Sequence, residues 1–225
     1  MLHLPFHLAM HIPDGYLSLP VIICGWAIAA GLITLAILRL GTESPRSTPL
    51  LVATCAALIF AAQMVNFPIA DGTSGHVLGG TLASVLLGPW LGCLVMAVVF
   101  TVQAVVFQDG GITALGANIV IMGLIGTLGG FGLYQLLRNF LGKYSWLSLS
   151  LSVAIAAWSS VVGGSMVCAV ALAVSGTVAL ELVLPAMVSW HLLIGIGEAL
   201  ISVAVISFVG RSYPELISSR QPVNN

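Results

Sequence analysis

The feature that most constrains this chain is how rarely it carries charge. Over 225 residues there are six Lys and Arg against seven Asp and Glu, while 59% of the residues are apolar. Soluble domains carry roughly 25% charged residues, against 6% here. Mean hydropathy is +1.14. The composition predicts an all-α integral membrane protein, because a hydrocarbon core offers no water to backbone groups and a helix satisfies its own. A net charge of −1 excludes the basic footprint of a nucleic-acid binder. Cys24, Cys55, Cys93 and Cys168 each stand alone in apolar stretches. Without a CxxC spacing they read as small buried hydrophobes, not as metal ligands or disulfides.

A membrane-crossing helix needs about 20 apolar residues. Five stretches meet that length: Pro20–Leu40, Pro49–Phe67, Ile112–Leu137, Leu147–Ser175 and Leu180–Val209. Val77–Phe107 reads either as one long tilted helix or as two, broken at Gly88-Pro89, where proline removes a donor and disfavours helix just before it. Basic residues favour the cytoplasmic side. Seven spans with the N-terminus outside and the C-terminus cytoplasmic place Arg39, Arg46, Arg138, Lys143, Arg211 and Arg220 all inside; six spans split them four against two. The sequence therefore predicts a seven-transmembrane-helix bundle, although Val77–Gly88 is too short to cross fully alone. Residues 10–211 form one transmembrane domain in this reading, and 212–225 a polar cytoplasmic tail. Residues 1–9 lack a basic n-region and are expected to be a leader or an over-long start assignment.

The same topology gathers Met10–Ser18, the loop Asn66–His76 and the turn Gln108-Asp109-Gly110-Gly111 on the outer face. Asp14, Asp71, Asp109 and Glu181 give that face a mildly negative potential, which concentrates cations. If Met10 is the physiological N-terminus, its α-amine, the amide nitrogen of His11 and the His11 Nδ1 offer three nitrogens in a plane. They close a five- and a six-membered chelate ring that suit a square-planar divalent ion. His76, in a glycine-rich loop, is the natural fourth ligand. Asp14 and Asp71 read either as partners of a ligand imidazole or as turn residues. His191 and Glu198 lie seven apart on one face of the last span. An ionisable group at that depth is a functional candidate; a polar network around the site, a station on a metal path and a structural clamp all remain open. Gln63, Gln103 and Asn118 read chiefly as interhelical hydrogen-bonders, with Gln103 and Asn118 also able to line the site. Ala27 with Gly31, and Gly126 with Gly130, have the spacing that lets helices approach closely; the first pair could alternatively serve docking to another membrane protein.

The runs Met-His-Ile-Pro-Asp-Gly-Tyr-Leu-Ser (10–18), Gly-His-Val-Leu-Gly-Gly (75–80), Trp190-His191 and Gly-Ile-Gly-Glu-Ala-Leu (195–200) resemble the cobalt/nickel substrate-binding membrane subunits of energy-coupling-factor ABC transporters, the CbiM/NikM family. The likeness runs from Met10 to about Arg211. It implies a seven-helix bundle whose Met-His terminus enters the metal site. On this pattern Met10 supplies the amine, His11 the amide and imidazole nitrogens, and His76 the last imidazole. It implies Co(II), destined for cobalamin biosynthesis, or Ni(II) as transported substrate, with no bound cofactor. It also implies a transmembrane coupling subunit, two cytoplasmic ATPase subunits and a small accessory membrane subunit as partners, in the inner membrane of a prokaryote.

The chain has no P-loop GxxxxGK[ST], so it is read as a non-enzymatic transporter subunit rather than as the motor. A stand-alone secondary divalent-metal transporter would need an ion-coupling relay, for which only His191 and Glu198 offer themselves. An intramembrane metalloenzyme would need an open coordination position, and HExxH is absent.

Overall fold

The computed structural model describes residues 8–9, 11–42, 48–65, 67–69, 73–142 and 145–213. Among the described residues seven helices follow one another: α1 (Leu19–Thr42), α2 (Pro49–Met64), α3 (Gly80–Leu87), α4 (Pro89–Val106), α5 (Leu115–Leu141), α6 (Trp146–Val174) and α7 (Leu180–Ser212). At 1.5 Å per residue the 24 residues of α1 span about 36 Å, more than the roughly 30 Å of a hydrocarbon core, whereas α3 reaches only about 12 Å. Among the described residues five helices, α1 and α4 to α7, are long and apolar enough to cross a membrane, and α2 is a shorter apolar helix.

The interval Val77–Phe107 is two helices. Gly88, at φ 87 and ψ 159, breaks α3 from α4, and Pro89 opens α4, where its missing N–H is no loss. All eight residues of α3 are buried, Thr81 and Ser84 among them. The second span ends earlier than its apolar run, because Phe67–Ile69 turns into strand. This small sheet was not among the expectations. Strands β1 (Leu8–Ala9), β2 (Phe67–Ile69) and β3 (Thr73–Gly75) pair in the order β1-β3-β2, with β1 parallel to β3 and β2 antiparallel to it. Strands of two or three residues carry no period for a sequence reading to detect.

The bundle buries polar side chains within an apolar core and turns large apolar side chains outward. Gln63, Thr81, Ser84, Gln103, Asn118, Ser152, Ser160, His191 and Glu198 are buried, while Leu38, Val98, Phe140, Leu182, Leu200 and Phe208 are each more than 60% exposed. Water would penalise such an exterior; lipid does not. Helices α6 and α7 share the most extensive interface. At the α5–α6 turn, buried Arg138 donates to the Gly142 carbonyl at 3.1 Å and to Ser148 Oγ at 3.0 Å.

Small residues decide the closest approaches. A Cβ on Gly80 would lie 2.7 Å from the Gly126 carbonyl carbon, so α3 and α5 touch backbone to backbone. There α5 is π-wound over Ile119–Gly129. Such windings are rare and often occur at functional sites. Ala27 and Gly31, in contrast, are exposed, and nothing lies within 4 Å of a Cβ placed on Gly31. On α1 the close contact is made by Gly25 against Ala117. Cys24 is also exposed, unlike the other three cysteines.

Candidate metal centre

The start of α1, the end of α2, the start of α3, the α4–α5 loop and the α6–α7 turn meet at one end of the bundle. The segment 11–14 enters this end and is held chiefly through its backbone. Asn118 Oδ1 accepts from Ile12 N at 3.0 Å, Asn118 Nδ2 donates to Ile12 O at 3.1 Å, and Gly111 N donates to the same carbonyl at 2.9 Å. One primary amide thus matches both main-chain polar atoms of one residue, and Ile12 itself is fully buried. Asp14 accepts from Ile112 N at 3.2 Å and from Thr113 N at 2.7 Å, and Thr177 Oγ1 donates to Tyr16 O. The glycines of the α4–α5 loop make room for this. Gly110 adopts φ +90, and a Cβ on Gly111 would stand 2.3 Å from Asp14 N.

The imidazoles of His11 and His76 lie against each other, with ring centroids 4.4 Å apart and planes inclined by 55°; Phe100 stands edge-on to His11 at 5.6 Å. Both histidines are buried. His76 Nδ1 donates to the Val77 carbonyl at 2.7 Å, which leaves Nε2 as the lone-pair nitrogen, and that atom has no hydrogen-bond partner. His11 Nε2 is also without one. His11 Nδ1 lies 3.1 Å from Asp109 Oδ2, close enough for an ion pair but off the direction of a hydrogen bond. An unpaired buried polar atom costs about 1–3 kcal/mol, so two ring nitrogens left this way on facing imidazoles fit a donor pair reserved for a cation.

Electrostatics favour the unprotonated donor at His76. Burial, and then the neighbouring charge of His11, hold its pKa below the ordinary histidine value. Burial alone would raise the Asp109 pKa, but the contacts with His11 outweigh it and leave it lowered. Asp14 is lowered mainly by the hydrogen bond from the Thr113 hydroxyl. Among the described residues no three His, Cys, Asp or Glu side chains are arranged to hold a metal. Among the described side chains, the two facing imidazoles are the donor pair at this end of the bundle.

The other expected residues divide clearly. Asn118 contacts the His11–Ile12 segment. Gln103 Nε2 donates to Gln63 Oε1 at 2.9 Å, and its own backbone carbonyl accepts from Asp109 N at 3.0 Å. Asp14 ties the α4–α5 loop and touches neither imidazole. His191 is buried, its Nδ1 donating to Met187 O at 2.6 Å and its Nε2 unpartnered. Glu198 accepts from Leu78 N at 2.8 Å and from Gly79 N at 2.7 Å. Met10 and Asp71 lie outside the described residues. Sequence reasoning passed over Asp109 beyond counting its charge. The signal was Asp followed by Gly-Gly, a carboxylate on a loop able to come close to another backbone.

The fold and the site together define a polytopic helical membrane protein with two buried imidazoles at one end. The profile of CbiM, the cobalt uptake substrate-specific transmembrane region, matches residues 11–216, and the chain belongs to this family. It is 38% identical over 213 residues to a putative fused nickel transport protein NikMN of Archaeoglobus fulgidus, an alignment covering 94% of this chain and 69% of that one. It is 30% identical to the cobalt transport protein CbiM of Sorangium cellulosum, covering 95% of this chain and 97% of the relative. A crystal structure of a truncated transition metal transporter superposes with a TM-score of 0.82 at 30% identity, covering 90% of this chain and 99% of the other.

Proposed function

We propose that this chain is the substrate-binding membrane component of an ATP-driven energy-coupling-factor importer of Co(II) or Ni(II). In this reading it captures the ion at the outer face in a square-planar set of four nitrogens: the Met10 amine, the His11 amide and imidazole, and the His76 imidazole. The observation that carries the reading is the facing pair His11 and His76, buried and 4.4 Å apart, whose donor atoms, His11 Nδ1 and His76 Nε2, both lack a hydrogen-bond partner. Ligation through His11 Nδ1, as the chelate requires, has the ion displace that nitrogen from Asp109. Membership of a cobalt uptake family and relatives named for nickel or cobalt transport supply the choice of ion. A coupling subunit, two ATPases and a small accessory membrane subunit complete the importer in the cytoplasmic membrane of a prokaryote. His191, Gln103 and Asn118 line or support the site, and Asp14 holds the α4–α5 loop beside it.

The test is titration of Ni(II) and Co(II) into protein whose N-terminus has been established by sequencing, followed by calorimetry and d–d absorption. The expected result is one tight ion with a square-planar Ni(II) spectrum, and for His76→Ala a loss of affinity on the order of 100-fold or more, beyond the range of an outer-shell partner. An octahedral spectrum, or an intact Met1 in metal-loaded protein, overturns the four-nitrogen site. Uptake without any ATPase partner would instead favour a secondary transporter.

A further inference from the structure

Among the described residues Glu198 is the one carboxylate that is almost wholly buried, at 2% exposure. A buried carboxylate is ordinarily met by a cation. Here it meets main-chain N–H groups instead, with Oε2 accepting from Leu78 and Oε1 from Gly79 at 2.8 and 2.7 Å. Gly79 is the N-cap of α3, so the carboxylate sits where the first free N–H groups and the helix dipole both favour a negative charge.

What this capping does for the site depends on which loop it holds. Leu78 and Gly79 follow His76 by two and three residues. Gln63 of α2 donates to the Leu78 carbonyl at 2.6 Å, so both main-chain polar atoms of Leu78 are taken by side chains of other helices. Gly79 adopts φ +75, and a Cβ there would lie 2.8 Å from Ile59 Cγ2. The loop is thus pinned at Leu78 and Gly79 from α7 and α2. The one bond that His76 makes for itself, to Val77 O, belongs to the same loop and cannot fix it relative to the rest of the bundle.

We propose that Glu198 is a positioning residue, a latch on α7 that grips Leu78 and Gly79 and thereby sets the His76 imidazole opposite His11. The proposal rests on the metal-capture reading above. The two N–H groups are met by two separate oxygens, and a carboxylate offers an acceptor at both positions. An amide at position 198 turns one acceptor into an NH2 that faces an N–H, so the loop has to shift.

Glu198→Gln and Glu198→Asp are compared with wild type and His76→Ala, all as full chains in lipid nanodiscs, with Ni(II) alone as the probe. Glu198→Gln is expected to weaken Ni(II) binding roughly 10- to 100-fold, to move the d–d spectrum toward that of His76→Ala, and to leave helical circular dichroism unchanged. Glu198→Asp keeps both acceptors on a shorter stem and is expected to fall between Gln and wild type in affinity and spectrum. Wild-type affinity and spectrum in Glu198→Gln overturn the latch. Transport lost while both stay unchanged makes Glu198 a station on the inward path, and overturns it too. If Glu198→Gln does not fold, the Asp variant decides, and wild-type behaviour there counts against the latch. Absence of Ni(II) and Co(II) binding by the wild type would bring down the capture reading itself, a separate outcome.

Discussion

The two histidine-bearing segments are fastened in opposite ways. The His11 segment is held by a neutral group, the Asn118 amide, which gives one hydrogen bond to Ile12 and takes one from it; glycines of the α4–α5 loop press against its side. The His76 loop is held by an acidic side chain, Glu198, reaching up from within the bundle. The difference follows from what each backbone presents. A strand-like segment shows an N–H and a C=O together, and an amide matches both. A helix N-terminus shows only N–H groups, and a carboxylate matches those. One ring is therefore set by a side chain that both donates and accepts, the other by a side chain whose two oxygens accept.

Three substitutions on the His11 side sharpen this contrast. The largest effect is expected from Asn118→Ala, which leaves Ile12 N–H buried and unpaired while Gly111 still serves the Ile12 carbonyl. One orphaned donor costs about 1–3 kcal/mol, and the loosened segment is expected to bind Ni(II) about tenfold more weakly. Calorimetric titration together with the thermal midpoint checks both; unchanged affinity would mean that the His11 side needs no clamp. Gly111→Ala comes next. Its Cβ would meet Asp14 N at 2.3 Å, and overpacking of this kind costs about 1–3 kcal/mol, read as a lower thermal midpoint with the Ni(II) spectrum retained. The smallest effect belongs to Asp14→Asn. The folded Asp14 carboxyl lies below its ordinary value of 3.8, so its contribution is present above that value and is lost as pH falls through the folded pKa. The midpoint of the wild type should therefore decline below about pH 4 more steeply than that of the Asn variant. Parallel curves would remove Asp14 from the account.

Much of the architecture was legible because a hydrocarbon solvent leaves a strong imprint. Apolar runs placed α1, α6 and α7 to within three residues at each end, and Gly88-Pro89 marked the break between α3 and α4. The expected start of α5 at Ile112 was early, since Ile112 and Thr113 are bound to Asp14 and the helix proper opens at Leu115. The site was legible as residue types and hidden as pairings. His11 and His76 stood out because their neighbours are distinctive. That Asn118 would grip Ile12 across 106 residues, or Glu198 would grip Leu78 across 120, leaves no periodicity behind. Asp109 was hidden for the same reason, because a turn carboxylate does not name its partner. The outward face of Ala27 and Gly31 shows the converse limit: four-residue spacing of small residues permits a close contact without saying that one is made.

The enclosure of α3 has a consequence for how this protein can vary. A helix with a lipid side can exchange Leu for Val or Phe there at little cost, because lipid accommodates any apolar shape. None of the eight positions of α3 has such a side. Each residue is fitted to protein on every flank, and at Gly80 even one added carbon strikes the backbone of Gly126. The shortest helix of the bundle is thus the stretch with the least freedom to drift in sequence.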